Sequence, residues 1–212
     1  MEPLVRLKGI AAPLLRANID TDTIAPGARP ATSGRPRQFS ERGTELARNL
    51  FANWRYDAHD NELPEFILNQ PPYREARFLL AGANFACGSS RESACWMLSE
   101  FGIRCVIAPS FGEIFYNNCF QNGMLPLILD WPTVQRLAAQ TMNGEFELDV
   151  EKSVLRTPEG ESIGYALPDF RRAALLNGWD EIDLTLSRIE EIDRFQRRDR
   201  EARPWVHRKA SV

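Results

Sequence analysis

The stretch Ala76-Arg77-Phe78-Leu79-Leu80-Ala81-Gly82-Ala83-Asn84-Phe85-Ala86-Cys87-Gly88-Ser89-Ser90-Arg91-Glu92-Ser93-Ala94-Cys95-Trp96 decides how this 212-residue chain folds. Its first six residues form a short apolar run of strand length. Beyond the polar middle, Ala94, Trp96, Met97, Leu98 and Phe101 recur at helical spacing. The small and polar residues between them therefore belong to a strand-to-helix turn. Such a turn aims backbone N–H groups and the positive end of a helix dipole at one point. Ser89, Ser90 and Arg91 stand at that point, which makes it a place for an anion.

Two readings of the turn compete. Ser89-Ser90-Arg91-Glu92 fits the capping box, a Ser followed three residues later by Glu, and a cap needs no function. Against that, Gly88 lets backbone approach a ligand closely, and Arg91 adds a planar fork suited to carboxylate or phosphate. The turn is neither a nucleophile elbow, because no second Gly follows the Ser in place, nor a Walker loop, because no Gly-Lys-Ser/Thr follows.

Working outward, Val5 to Leu15 predicts one or two short strands. Asn18 to Pro26 is polar and turn-rich, and Asp20 and Asp22 share one face if the segment is extended. Either Asp could instead satisfy its own backbone in an Asx-type turn. Gly27 to Gln38 holds two Gly, two Pro and three Arg, which predicts a surface loop without regular structure. Arg29, Arg35 and Arg37 there are either carboxylate partners or solvated charge. Thr44 to Tyr56 predicts one helix with Leu46, Leu50, Phe51 and Trp54 on one face.

Downstream, Ile103 to Ala108 and Leu125 to Leu129 are strand-length apolar runs. They flank a helix from about Phe111 to Phe120, with Ser110 as its expected cap. Two strand-helix-strand units in succession argue for a parallel core sheet. Pro132 to Met142 predicts a helix with Pro in its first turn. Glu145 to Thr157 and Glu161 to Ala166, separated by Pro158-Glu159-Gly160, predict a β-hairpin. Pro168 to Asn177 predicts a helix closed by Gly178 in the left-handed position. Arg188 to Arg200 predicts an ion-pair-laced helix with a narrow stripe of Ile189, Ile192 and Phe195.

Composition narrows the function classes. Hydrophobic residues make up 43% of the chain and the formal net charge is −3. No basic stripe argues for nucleic acid, and no apolar run is long enough for a membrane span. Cys87, Cys95, Cys105 and Cys119 contain no Cys-x-x-Cys spacing, so neither zinc nor an iron–sulfur cluster is signalled. The N-terminus lacks the layout of a secretory signal, and a reduced, cytoplasmic setting is the expectation. With only His59 and His207, a His-based triad or metal site has little material.

Gly88-Ser89-Ser90-Arg91-Glu92 resembles the signature of the aconitase superfamily swivelling domain. Four further segments, in order, resemble the small-subunit family of the 3-isopropylmalate dehydratases: Asn18 to Pro26, Leu50 to Tyr56, Val106 to Asn118 with Asn122 to Pro126, and Asp169 to Gly178. The resemblance implies an α/β fold of the swivelling-domain β/β/α type, with a parallel core sheet, a β-hairpin and flanking helices. Residues 1–187 are then the swivelling domain and residues 188–212 a charged C-terminal helix and tail.

The resemblance also implies a hydro-lyase that isomerises 2-isopropylmalate and 3-isopropylmalate by dehydration and rehydration in leucine biosynthesis. It implies Ser89 as the catalytic base, with Ser90, Arg91 and Asp22 binding substrate in the cleft. No cofactor is expected in this chain. The [4Fe-4S] cluster would sit in a separate large subunit, the obligatory partner, and the ligand would be a hydroxy-dicarboxylate. The chain departs from the family at Ser93, where His is usual, and at Cys95, where Pro is usual. It also lacks the family's aromatic-Leu segment within Gly27 to Gln38. These departures leave open a paralogue acting on another 2-hydroxy di- or tricarboxylate, or a non-catalytic anion-binding or assembly module.

Overall fold

Arg6–Gly9 (β1) and Ala11–Leu14 (β2) are consecutive strands that enter different sheets. The computed structural model describes residues 1–27 and 44–207. β2 joins Phe78–Ala81 (β3), Cys105–Ala108 (β4) and Leu125–Ile128 (β5) in a parallel sheet ordered β2-β3-β4-β5. β1 joins Phe146–Asp149 (β6), Val154–Arg156 (β7) and Ser162–Gly164 (β8) in an antiparallel sheet ordered β1-β6-β7-β8. The predicted hairpin is thus a three-strand meander, and β1 completes it by pairing with β6.

The parallel sheet is apolar on both faces, as crossover helices require. Phe78, Leu80, Cys105 and Ile107 point into a core shared with Phe146, Leu148 and Leu155 of the antiparallel sheet. Leu79, Ala81, Val106 and Ala108 point the other way, into a core with Leu46, Leu98 and Phe115. Pro13 and Pro126 lie in β2 and β5, the two edge strands, where a missing N–H breaks no internal ladder.

The helices depart from expectation in instructive ways. The segment predicted as one helix is two, Thr44–Asn49 (α2) and Ala52–Arg55 (α3), following the short helix Thr21–Ile24 (α1). The break falls at Phe51, whose φ of +50° lets its ring pack at 0% exposure. Buried Arg55 stabilises the break: its Nη1 donates to the carbonyls of Ala47 at 2.9 Å and Leu50 at 3.5 Å. Its Nε donates to Asn69 Oδ1 at 3.0 Å.

The crossovers are Ser93–Phe101 (α4) and Glu113–Gln121 (α5), followed by Trp131–Ala139 (α6). Asp130 caps α6 by accepting from the Thr133 N–H at 3.0 Å, with Pro132 in the first turn. Asp169–Asn177 (α7) ends at Gly178 with φ +68°. Two further helices, Glu181–Leu186 (α8) and Ile189–Ala202 (α9), close the described chain. No side chain of α9 is buried; Ile192 and Phe195 line a groove of about 670 Å³ with Phe170, Trp179 and Leu184. No helix among the described residues is long and apolar enough to cross a membrane.

Two glycines let the loops at the carboxyl end of the parallel sheet lie against one another. A Cβ on Gly82 would sit 2.5 Å from the Arg16 carbonyl, and one on Gly112 would sit 2.3 Å from the Ala86 carbonyl. Both neighbours are backbone and cannot rotate away. Gly112→Ala is therefore expected to displace the turn after β3 and to destabilise the protein by about 1–3 kcal/mol, the range for overpacking. Chemical denaturation reads the loss; an unchanged midpoint would contradict the close approach.

Candidate active site

In open parallel α/β sheets, ligands bind beyond the carboxyl ends of the strands. Three loops converge there in this chain: Leu15 to Asp20 after β2, Gly82 to Glu92 after β3, and Pro109 to Gly112 after β4. Single parallel bridges tie them, Asp20 to Cys87 and Phe85 to Phe111. Phe85 is buried and packs edge-on against Phe111 and Phe115, which anchors the middle of the β3 loop in the core. Asn84 donates through its side chain to Asn18 Oδ1 at 2.8 Å, and its N–H donates to Ser110 Oγ at 2.8 Å. Ser110 therefore serves the loop and not α5, whose cap is Gly112.

The backbone of the turn is left-handed at Asn84, Ala86 and Gly88. For Ala this conformation carries steric strain, which persists only where surrounding structure over-determines it and which clusters at functional sites. Gly88, at φ +97°, passes close to the first turn of α1; a Cβ there would lie 3.6 Å from Asp20 Cβ.

Ser89, Ser90 and Arg91 are exposed. No backbone carbonyl among the described residues accepts from their N–H groups. The capping-box expectation does not hold. α4 begins at Ser93, its cap position is Glu92, and no side chain caps it. The Ala94 N–H donates to the Arg91 carbonyl at 3.2 Å, so the first turn opens after the two serines. The Glu92 carboxylate instead accepts from Asn122 Nδ2 at 3.1 Å. The helix dipole consequently reaches Ser89 from more than a turn away, where its effect has largely faded.

The loop after β2 closes the site. Asp20 and Asp22 do not share the face of an extended strand, because the backbone turns into α1 between them. Asp20 caps α1 through the Thr23 N–H at 2.7 Å, and hydrogen bonds from the Thr23 hydroxyl and then its N–H hold the Asp20 carboxyl below the usual carboxylate range. Asp22 Oδ1 pairs with Arg91 Nε at 2.8 Å. Arg91 Nη1 also donates to the Ala25 carbonyl at 3.4 Å. Thr21, between the two acids, places Oγ1 3.3 Å from Ser89 Oγ and 3.3 Å from the Ser89 carbonyl oxygen. The sequence reading passed over Thr21, since only tertiary pairing reveals it. Beside Arg91 lies a cavity of about 190 Å³ lined by Ala25, Pro26, Gly27, Leu46, Ser93, Trp96 and Met97.

Other candidates lie elsewhere. His59 is exposed, and His207 pairs with Asp199 at 2.8 Å near the C-terminus. Neither accompanies Ser89. Arg29, Arg35 and Arg37 fall outside the described residues. Cys95, at the position where Pro is usual in the resembling family, packs Sγ to Sγ against Cys119 at 3.8 Å in the core.

Three of the chain's four thiols do not suit an iron–sulfur cluster. Cys95, Cys105 and Cys119 are fully buried, and burial pushes the Cys105 and Cys119 thiols up, away from the thiolate a cluster needs. No group of three or more His, Cys, Asp or Glu among the described residues is placed to hold a metal.

Comparison with known proteins gives this site a setting. Residues 1–131 match the family model for the aconitase C-terminal domain. The chain is 48% identical to the 3-isopropylmalate dehydratase small subunit of Rhodospirillum centenum, over 97% of this chain and 99% of that one. It is 47% identical to the Cupriavidus necator protein of the same name, over 98% and 99% of the two chains. The crystal structure of a 3-isopropylmalate dehydratase from Methanocaldococcus jannaschii superposes with a TM-score of 0.61 at 26% identity, covering 89% of this chain and 98% of that one. With near-complete coverage at this identity and the same fold, the chain belongs to the 3-isopropylmalate dehydratase small-subunit family, within the aconitase superfamily.

Proposed function

We propose that this chain is the small subunit of a hydro-lyase that interconverts 2-isopropylmalate and 3-isopropylmalate in leucine biosynthesis, and that it turns over only with its large subunit. One observation carries the reading: an exposed Ser89 hydroxyl is held beside an exposed Arg91 at the carboxyl end of a parallel sheet, without serving as a helix cap. This favours catalysis over the anion-binding or assembly module that plain capping would have suggested.

Dehydration next to a carboxylate needs a base for a weakly acidic C–H, a clamp for the carboxylate and an acid for the departing hydroxide. Ser89 Oγ, as the alkoxide, takes the proton and becomes the hydroxyl that returns it to the unsaturated intermediate on rehydration. Ser90 and Arg91 hold the carboxylate. Asp22 acts through Arg91: Nε is on Asp22 and Nη1 on the Ala25 carbonyl, while Nη2, which has no partner among the described residues, is the donor proposed for the substrate. The cavity lined by Leu46, Trp96 and Met97 suits the branched alkyl group of a substrate whose carboxylate rests on Arg91. The family resemblance assigns the acid for the departing hydroxide to a [4Fe-4S] cluster of the large subunit, which would supply Lewis-acid chemistry to the shared cleft.

A serine hydroxyl is a weak base unless positive charge and donors are arranged around it beforehand. The dipole of α4 is too distant to do this alone. Arg91 and the N–H groups of the turn supply the charge, and docking of the large subunit excludes water and raises its effect. The catalytic domain ends at Ser187, and α9 lies outside it as a charged appendage. The assembled enzyme works in the cytoplasm.

In the complex with the large subunit, Ser89→Ala is expected to lower kcat by about 10²–10⁴, the usual worth of a positioned proton acceptor, while the subunits still co-elute. Wild-type turnover in that variant would remove Ser89 as the base. Arg91→Lys is expected to raise KM by roughly 10–150-fold, the equivalent of a charged hydrogen bond. Asp22→Ala should raise it by only about 2–5-fold, as for an exposed ion pair. Equal effects at the two positions would show that Asp22 binds substrate itself.

A further inference from the structure

We infer that Thr21 is the positioning residue for Ser89, holding its hydroxyl in place and donating to it when it carries charge. The inference rests on Ser89 as the base. Thr21 is 1% exposed, although both of its side-chain partners belong to an exposed residue of another loop. Its place is set by backbone: the Thr21 N–H donates to the Cys87 carbonyl at 3.0 Å, within the bridge that joins Asp20 to Cys87. Gly88 passes beside Thr21 with φ +97°, a left-handed conformation that brings Ser89 over the Thr21 hydroxyl.

A threonine hydroxyl has one hydrogen to give. Thr21 Oγ1 has two acceptors within reach, the Ser89 carbonyl and Ser89 Oγ, each at 3.3 Å. While Ser89 is neutral, its own O–H can donate to Thr21 Oγ1 as Thr21 donates to the carbonyl. When Ser89 gives its proton to the carbon of the unsaturated intermediate on rehydration, Thr21 can rotate about its side-chain bond and donate to the anionic oxygen left on Ser89, and hydrogen bonds to an ionised acceptor are the stronger kind. The alternation requires no movement of the backbone, and burial of Thr21 keeps water from competing for its hydrogen. The same contact limits the rotation of Ser89, which aims Oγ at the substrate carbon.

The test uses the enzyme assembled from both subunits, with 3-isopropylmalate as substrate. Thr21→Val keeps the shape and removes the hydroxyl. It is expected to lower kcat by about 10–100-fold with KM within about 3-fold, a modest share of the loss seen on deleting a preorganised donor. Without the donor the Ser89 alkoxide is less favourable and its pKa rises, so the acid limb of the kcat profile should move to higher pH. Thr21→Ser should restore kcat to within about 3-fold, which a purely packing role of the methyl group would not allow. Thr21→Ala repeats the test if the valine variant fails to assemble with the large subunit. Wild-type kcat in Thr21→Val or Thr21→Ala, or an equal fall in Thr21→Ser, would overturn the role of Thr21 while Ser89→Ala stays inactive. Turnover by Ser89→Ala would overturn the base assignment and this inference with it.

Discussion

The site depends on two meetings, one of β2 with β3 and one of the loops that follow them. The strands pair in parallel from Ala11 and Phe78 to Leu14 and Ala81, the loops stay joined through the Gly82 N–H on the Arg16 carbonyl and the Asn18 N–H on the Ala83 carbonyl, and they meet again as a bridge at Asp20 and Cys87. Between the two meetings each chain makes a left-handed excursion, at Asn18 on one side and at Asn84 and Ala86 on the other. The Asn residues tolerate that conformation and bond each other through their side chains. Ala86 does not share that tolerance, and its strain of roughly 1–3 kcal/mol is carried by the buried packing of Phe85 next to it. The second meeting puts Thr21 under Ser89 and Asp22 against Arg91. Sheet register is thereby converted into the placement of a hydroxyl and a guanidinium.

Electrostatics alone would not hold this arrangement. The Asp22–Arg91 pair leaves 62% and 43% of the two side chains exposed, and such pairs contribute about 0–1 kcal/mol. The backbone bridge and the buried Thr21 contribute the order; the ion pair orients Arg91 within it. The value of that orientation appears once a partner surface covers the site, because the same charges interact several-fold more strongly away from water. Under the proposed function, the exposed, weakly paired arginine of the free chain becomes the carboxylate clamp of the assembled enzyme without a change of geometry.

Elements whose period is set by burial were legible in the sequence. β3, β4 and β5 appear where apolar runs stand, and α7 ends at Gly178. The misreadings have a common cause: local patterns were satisfied by distant partners. Ser89 to Glu92 has the spelling of a capping box, but Glu92 accepts from Asn122 and Ser89 meets Thr21. Ser110 resembles a cap for α5 but serves Asn84. The helix expected from Thr44 to Tyr56 breaks at Phe51 because Arg55 takes up the carbonyls that the break frees. Asp20 followed local chemistry and Asp22 did not; nothing in the spacing of two acids around a threonine distinguishes them. Ser89, Ser90 and Arg91 were visible as a group because Gly88 and the strand-to-helix transition mark the turn. Thr21 carried no such mark.

The central claim is that this chain supplies one wall of a shared cleft and has no complete catalytic apparatus of its own. The most direct measurement is turnover of 3-isopropylmalate by the purified chain alone, by a cluster-loaded large subunit of this family alone, and by the two mixed. The account predicts activity only in the mixture, saturating as the small subunit is titrated in. Turnover by this chain alone, or a stable complex of intact subunits that does not turn over, would contradict it.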